Sequence, residues 1–181
     1  EEIDIKAVQQ EIDGIEVEVD GAMTLIQAAE VAGVEIPRFC YHERLTIAGN
    51  CRMCLVEIEK MPKLQIACNT QVAEGMGALT QSPKVLAVRK AVMEFLLINH
   101  PVDCPICDQA GECKLQDHAF DWGVSAARTT APRRPAKKAV DLGPTIVFDQ
   151  ERCILCRRCV RFCREIPKTG ELGVVNRGDE S

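Results

Sequence analysis

Between Cys40 and Cys68 four cysteines stand at C-x10-C-x2-C-x13-C, in the text RFCYHERLTIAGNCRMCLVEIEKMPKLQIACNT. No other feature limits the fold of this chain as strongly. Four thiolates with one tight C-x2-C pair are the donor set of a metal or iron-sulfur centre, so the backbone has to fold until all four sulfurs meet. Gly49-Asn50 permits a tight turn just before Cys51 and leaves room for backbone N–H groups to aim at sulfur. Zinc is the competing occupant, although structural zinc sites usually pair two short C-x2-4-C spacings and only one spacing here is short.

The chain holds eleven cysteines in 181 residues. Its first residues, Glu1-Glu2-Ile3-Asp4, are acidic where a secretory leader needs a basic start, so the chain reads as not exported. In a reducing compartment the cysteines read as ligands, and an odd count leaves any all-disulfide scheme with a leftover. No run of about 18 apolar residues is present to span a bilayer. The net charge of -5 is unevenly spread: residues 1–60 carry 13 acidic against 5 basic side chains, residues 121–168 carry 5 against 11. Basic residues beside the last cysteines offset the negative charge of thiolate-bound centres. A nucleic-acid surface is poorly served by one Trp, one Tyr and an acidic total.

Residues 3–20 alternate apolar and polar around Asp13-Gly14, which predicts a hairpin. Residues 24–32 predict a short helix stopped by Gly33. Alternation returns at 54–59, and 63–70 predicts a strand carrying Cys68. Two strands, a helix and further strands is the order of a small ubiquitin-like β-grasp. Ser82-Pro83 starts a second helix, in which Val85, Val88, Val92, Phe95 and Leu96 recur at helical spacing as the packing face.

His100, Cys104, Cys107 and Cys113 follow at H-x3-C-x2-C-x5-C. Imidazole in place of one thiolate removes a negative charge from the ligand shell, a lever on the reduction potential of an iron-sulfur centre. Pro101 and Pro105 stiffen the approach, and Gly111 relieves the turn before Cys113. A Cys3His zinc site is the competing reading. His42 and His118 stand in no quartet and read as ordinary side chains. From Trp122 to Gly143 periodicity disappears, and APRRPAKKA is a proline-rich basic connector; TIVFD then reads as a short strand. Cys153, Cys156, Cys159 and Cys163 stand at C-x2-C-x2-C-x3-C, a ferredoxin-type run for a 4Fe-4S cluster and the most specific motif in the chain. In such a run the fourth cysteine normally serves a different cluster, so the first three need a ligand from elsewhere. The expectation is that this ligand lies beyond Ser181, with Cys163 spare or serving something outside this chain.

The segments PRFCYHERLTIAGNCRMCLVEIE, VMEFLLINHPVDCPICDQAGECKLQD and RCILCRRCVRFC, in that order, closely resemble the three cluster-binding segments that open the large iron-sulfur subunit of respiratory complex I, the bacterial NADH:quinone oxidoreductase. The resemblance covers nearly the whole chain. It implies an α+β architecture: a β-grasp, 2Fe-2S ferredoxin-like domain over 1–80, a small helical His-Cys cluster domain over 81–122, a linker over 123–144 and a ferredoxin-type 4Fe-4S segment over 145–181. It further implies a 2Fe-2S cluster on Cys40, Cys51, Cys54 and Cys68 and a 4Fe-4S cluster on His100, Cys104, Cys107 and Cys113. A second 4Fe-4S cluster would sit on Cys153, Cys156 and Cys159 plus a cysteine that family members carry further along. The chain departs from the family in lacking that residue and the large molybdopterin-oxidoreductase-like domain that normally follows.

What the resemblance implies for function is a relay: single electrons from NADH, passed through flavin in a neighbouring subunit, enter at the 2Fe-2S end and leave through the 4Fe-4S centres toward quinone. The implied partners are the other peripheral-arm subunits, including the flavin-bearing one, and the implied location is the cytoplasmic side of the inner membrane, attached through the complex. No Gly-rich dinucleotide fingerprint opens a helix after a strand, so no substrate-converting site or catalytic residue is assigned to this chain. The same three-part module is similar to the start of iron-only hydrogenases and of the diaphorase subunits of NAD-reducing hydrogenases. There a second ferredoxin-type run follows, whereas the ELGVVNRGD tail leans toward complex I. With each core small, bound metal should supply much of the folding energy.

Overall fold

The computed structural model describes residues 7–178 and 181, and the chain divides into two compact units, Glu1–Arg89 and Lys90–Ser181. In the first, β1 (Ala7–Ile12) and β2 (Ile15–Asp20) pair antiparallel with Ile12 opposite Ile15. Their turn is Asp13-Gly14 at φ 49° and 85°, the two left-handed positions that a two-residue hairpin matching the strand twist requires. Residues 3–6 of the expected alternating run lie outside the described residues. Helix α1 (Leu25–Val31) starts at Thr24, whose N–H donates to Gln27 Oε1 at 2.9 Å, and Gly33 at φ 73° ends it as expected.

Strands β3 (Leu55–Ile58), β4 (Gln65–Ile66) and β5 (Met76–Leu79) complete a sheet in the order β2-β1-β5-β3-β4. Strand β5 runs parallel to β1 and antiparallel to β3. Leu25, Ile26, Ala28 and Ala29 of α1 share one buried cluster with Ile12, Val56 and Ala78 of the sheet. A mixed sheet with a helix packed on it is the β-grasp that the element order predicts.

Two expectations are corrected here. The strand at 63–70 shrinks to Gln65–Ile66, and Cys68 sits on a 3-10 turn, Ala67–Asn69. The backbone curls because the Ala67 N–H donates to the Cys54 carbonyl at 3.0 Å and the Thr70 hydroxyl to the Ile66 carbonyl at 2.9 Å, which returns Cys68 to the C-x2-C loop. Helix α2 (Pro83–Leu97) starts as expected, with Ser82 Oγ accepting the Val85 N–H at 3.3 Å. Its buried line, however, is Val85, Arg89 and Met93, while Phe95 is 76% exposed. Residues four apart lie along one face, and the remaining apolar residues of α2 are too numerous for their spacing alone to select which face goes inward.

The second unit is built from short elements: a 3-10 turn at Cys104–Ile106, α3 (Lys114–Trp122), a ribbon of β6 (Val140–Asp141) and β7 (Val147–Phe148), and α4 (Arg158–Glu165). Strand β7 falls within TIVFD; β6 falls inside the stretch expected to be an aperiodic connector. The buried apolar cluster lies wholly between Ile12 and Ala78. In the second unit the buried apolar side chains among the described residues are Met93 and Leu115. A unit with so little apolar interior depends on other interactions for its integrity.

Candidate metal centres

Cys40, Cys54 and Cys68 are at most 1% exposed, and Cys51 is half-buried. Cys51 and Cys54 flank Arg52, a non-glycine residue at φ 61°, and this left-handed step lets the C-x2-C loop double back on itself. Gly49 at φ 60° lies so close to the β4 end that a Cβ there would stand 3.1 Å from Ile66 Cδ1. The four thiols form two adjoining pairs. Cys51 Sγ accepts the Cys40 N–H at 3.5 Å, and the hydrogen bond between the two side chains, followed by burial, pushes the Cys51 thiol pKa up. The hydrogen bond between Cys54 and Cys68 pulls Cys54 down and pushes Cys68 up, burial adding to the second effect. Charge on Cys40 and Cys51 also acts on Cys68.

The thiolate is the form that ligates a metal. Four thiols gathered in this way would supply four sulfur donors to a metal centre. Binding would displace the shared protons.

His100, Cys104, Cys107 and Cys113 line one small cavity together with Asp103 and Arg152. His100 comes just after α2, Cys104 opens the 3-10 turn, Cys107 closes it by donating its N–H to the Cys104 carbonyl at 3.3 Å, and Cys113 precedes α3. Gly111 at φ 86° makes the expected turn. Burial, then the positive charges of Arg133 and Arg152, hold the His100 pKa below its ordinary value, which favours the neutral imidazole, the ligating form. Donors spaced around a cavity fit an occupant with a body of its own.

In the third group, Cys153 Sγ accepts the Leu155 N–H at 3.4 Å. Leu155 and Arg157, one in each x2 interval, both take left-handed φ values of 54° and 59°, and successive turns of this kind direct backbone N–H groups toward an anion. Burial, then charge on Cys156 and Cys159, raises the Cys153 pKa, so these three thiols are neighbours. Cys163 lies one turn beyond Cys159 on α4, where its carbonyl accepts the Thr169 and Gly170 N–H groups at 2.9 and 3.1 Å.

Three features were not read from the sequence. Arg89 is 2% exposed on α2, its pKa lowered by burial and pushed back by Asp13 and Cys54. Arg152 pairs through Nη2 with Asp103 Oδ2 at 3.5 Å and through Nε with Asp149 Oδ2 at 3.2 Å. Asp103 also pairs with Lys138, whose Nζ reaches Glu151 Oε2 at 3.1 Å. The available signal was the basic enrichment beside the last cysteines. His42 and His118 keep their ordinary reading: His42 Nδ1 accepts the Arg44 N–H at 3.1 Å, and His118 is buried with its ring 5.0 Å from that of Trp122.

Comparison with known proteins places three family models along the chain. A 2Fe-2S iron-sulfur cluster binding domain matches residues 6–83, the NADH-ubiquinone oxidoreductase-G iron-sulfur binding region matches 89–128, and the ferredoxin-like domain of NADH-quinone oxidoreductase subunit 3 matches 143–181. The chain is 52% identical over 95% of its length to the G-type subunit of NADH-quinone oxidoreductase from Rickettsia felis, and spans 26% of that protein. It is 50% identical over 92% of its length to the mitochondrial NADH dehydrogenase (ubiquinone) iron-sulfur protein 1 of Solanum tuberosum, and spans 22% of it. The chain thus spans about a quarter of the curated relatives it matches. Among solved structures, an NAD+-reducing NiFe hydrogenase in the H2-reduced state aligns with TM-score 0.84 at 28% identity, over 94% of this chain and 71% of that one.

Proposed function

The chain belongs with the iron-sulfur region of the G-type subunit family of NADH-quinone oxidoreductase, and from that premise we propose that it carries one 2Fe-2S and two 4Fe-4S clusters and relays single electrons from NADH and flavin toward quinone. The observation that carries this reading is the pairing of Cys40 with Cys51 and of Cys54 with Cys68, three of the four thiols being buried. The 2Fe-2S cluster takes Cys40, Cys51, Cys54 and Cys68. One 4Fe-4S cluster takes His100, Cys104, Cys107 and Cys113; the other takes Cys153, Cys156 and Cys159 with a fourth ligand outside residues 1–181. Segments 1–80, 81–122 and 145–181 each hold one cluster, and 123–144 links the last two.

When bound, the clusters supply one-electron redox chemistry. The chain's residues do the rest. Burial of Cys40, Cys54 and Cys68 keeps water from the sulfurs, and the N–H groups of Cys40 and Leu155 hydrogen-bond to ligand sulfur, which stabilises the thiolates and tunes the potential. Neutral His100 lightens the negative charge of its shell.

The partners are the other peripheral-arm subunits, the flavin-bearing one among them, and the location is peripheral on the cytoplasmic side of the inner membrane. Phe120 and Phe95 are 83% and 76% exposed, apolar surface of the kind that a partner covers. Among the described residues no helix is long and apolar enough to cross a membrane. The test is anaerobic purification with iron, sulfide and zinc analysis. Brown absorbance bleached by dithionite, with iron and sulfide matching three clusters, is expected; a colourless zinc protein overturns the reading. The likeness to the NAD+-reducing hydrogenase chain favours one second reading, an electron-input module of a hydrogenase. Co-purification with quinone-reducing rather than H2-dependent activity separates the two.

A further inference from the structure

Arg152 stands at the joint between two candidate centres. Its side chain lines the cavity of His100, Cys104, Cys107 and Cys113, while its backbone leads directly into Cys153, the first cysteine of the third group. Two carboxylates flank the guanidinium, Asp103 Oδ2 accepting from Nη2 at 3.5 Å and Asp149 Oδ2 standing as an ion-pair partner 3.2 Å from Nε. Asp103 itself adjoins Cys104 and pairs with Lys138 of the basic connector. One ionic network therefore joins the loop of the second centre, the connector and the loop of the third. The Arg152 side chain is only 26% exposed, and a guanidinium keeps its charge at any working pH. In a partly desolvated cavity that charge acts more strongly than in water.

Resting on the electron-relay reading, we propose that Arg152 is a positioning residue shared by the second and third centres: its fixed positive charge raises the reduction potential of the His100 centre, and its clamp between Asp103 and Asp149 sets the Cys153 loop beside that centre. Each electron that arrives adds negative charge to a thiolate-bound centre, and net charge is a main lever on the potential of such centres. A nearby fixed cation favours the reduced form. A purely structural ion pair would change stability and leave the potential where it is.

The test is a redox titration followed by EPR on the assembled complex, comparing the natural protein with Arg152→Gln and Arg152→Lys. In Arg152→Gln the midpoint of the His100 centre is expected to fall, its reduction constant becoming about tenfold smaller, or ~59 mV for one electron. The midpoint of the Cys40 centre should not move, and Arg152→Lys should recover most of the loss. An unshifted His100 midpoint in Arg152→Gln, with all cluster signals present, overturns the proposal. Should Arg152→Gln lose that cluster, Arg152→Lys decides: its retained charge predicts a midpoint close to the natural one, and a drop of about tenfold in the reduction constant overturns the proposal. Absence of any iron-sulfur signal in the natural protein would fell the relay reading itself, a result seen before any variant is made.

Discussion

Asp13 holds Thr80 with both of its carboxylate oxygens: Oδ1 accepts the Thr80 backbone N–H at 2.7 Å and Oδ2 accepts its hydroxyl at 2.5 Å. Thr80 is 1% exposed, so neither donor has water as an alternative. Asp13 also occupies the left-handed position of the hairpin turn, which Asp and Asn tolerate better than other side chains. Asp13→Ala strips two buried donors of their acceptor and adds backbone strain, an expected loss of about 1–3 kcal/mol. Asp13→Asn keeps the turn and one acceptor oxygen and should lose clearly less. Urea unfolding of the intact protein measures both; equal losses would refute the double role.

Glu94 is buried and accepts from Arg128 three times, Oε1 from the backbone N–H at 2.9 Å and Oε2 from Nε at 2.7 Å and from Nη2 at 2.5 Å. The hydrogen bonds from the Arg128 side chain, then from its backbone, hold the Glu94 pKa below the usual carboxylate range. A pKa depressed by folding gives a contribution that is complete above the unfolded value of about 4.3 and is lost as pH falls through the lower folded value. Thermal melts of the natural protein and Glu94→Gln should therefore differ most near neutrality and converge as the solution is acidified below about pH 4. A gap that stays constant across that range would remove Glu94 as its source.

The parts of the fold legible in the sequence are those fixed by local chemistry. Asp13-Gly14, the Thr24 start of α1 and the Ser82-Pro83 start of α2 each determine their own backbone. Strand β5 is different: Met-Gly-Ala-Leu has no β-branched residue, and it is a strand because β1 and β3 offer ladders on both sides. Gly77 in its middle makes room for Glu59, whose side chain would meet a Cβ there at 2.7 Å. Arg89 misled the periodicity for a similar reason, since its burial is offset by Asp13 and Cys54, far away in the chain.

The close approach of the cysteine side chains follows their spacing, and the structure gathers Cys40, Cys51, Cys54 and Cys68 as pairs and places His100 with Cys104, Cys107 and Cys113 around one cavity. Their charged surroundings were not legible in the sequence. Asp103, Lys138, Asp149 and Arg152 meet only after the connector folds back, and no spacing rule predicts that.

Cys51 is the least buried of the first four cysteines, so serine there costs little by itself. On the proposed 2Fe-2S assignment, what Cys51→Ser removes is a ligand. Because metal binding energy is folding energy in a domain with a small core, the variant should lose the 2Fe-2S EPR signal and also melt earlier, by ~5 °C or more. The other cluster signals should persist. A variant that loses the signal but melts unchanged would show that the β-grasp stands without its metal.

Cys163 and Cys159 lie four residues apart on α4, hence on one face of the helix, and the contacts around them differ. Charge on Cys159 acts on Cys153 together with that of Cys156, and the Cys163 carbonyl accepts the Thr169 and Gly170 N–H groups beyond the helix. Serine at 163 keeps that carbonyl. Cys163→Ser is therefore expected to retain the EPR signal of the third centre and Cys159→Ser to lose it, each measured in the assembled complex. Loss in both variants would make Cys163 the fourth ligand and remove the need for one outside residues 1–181.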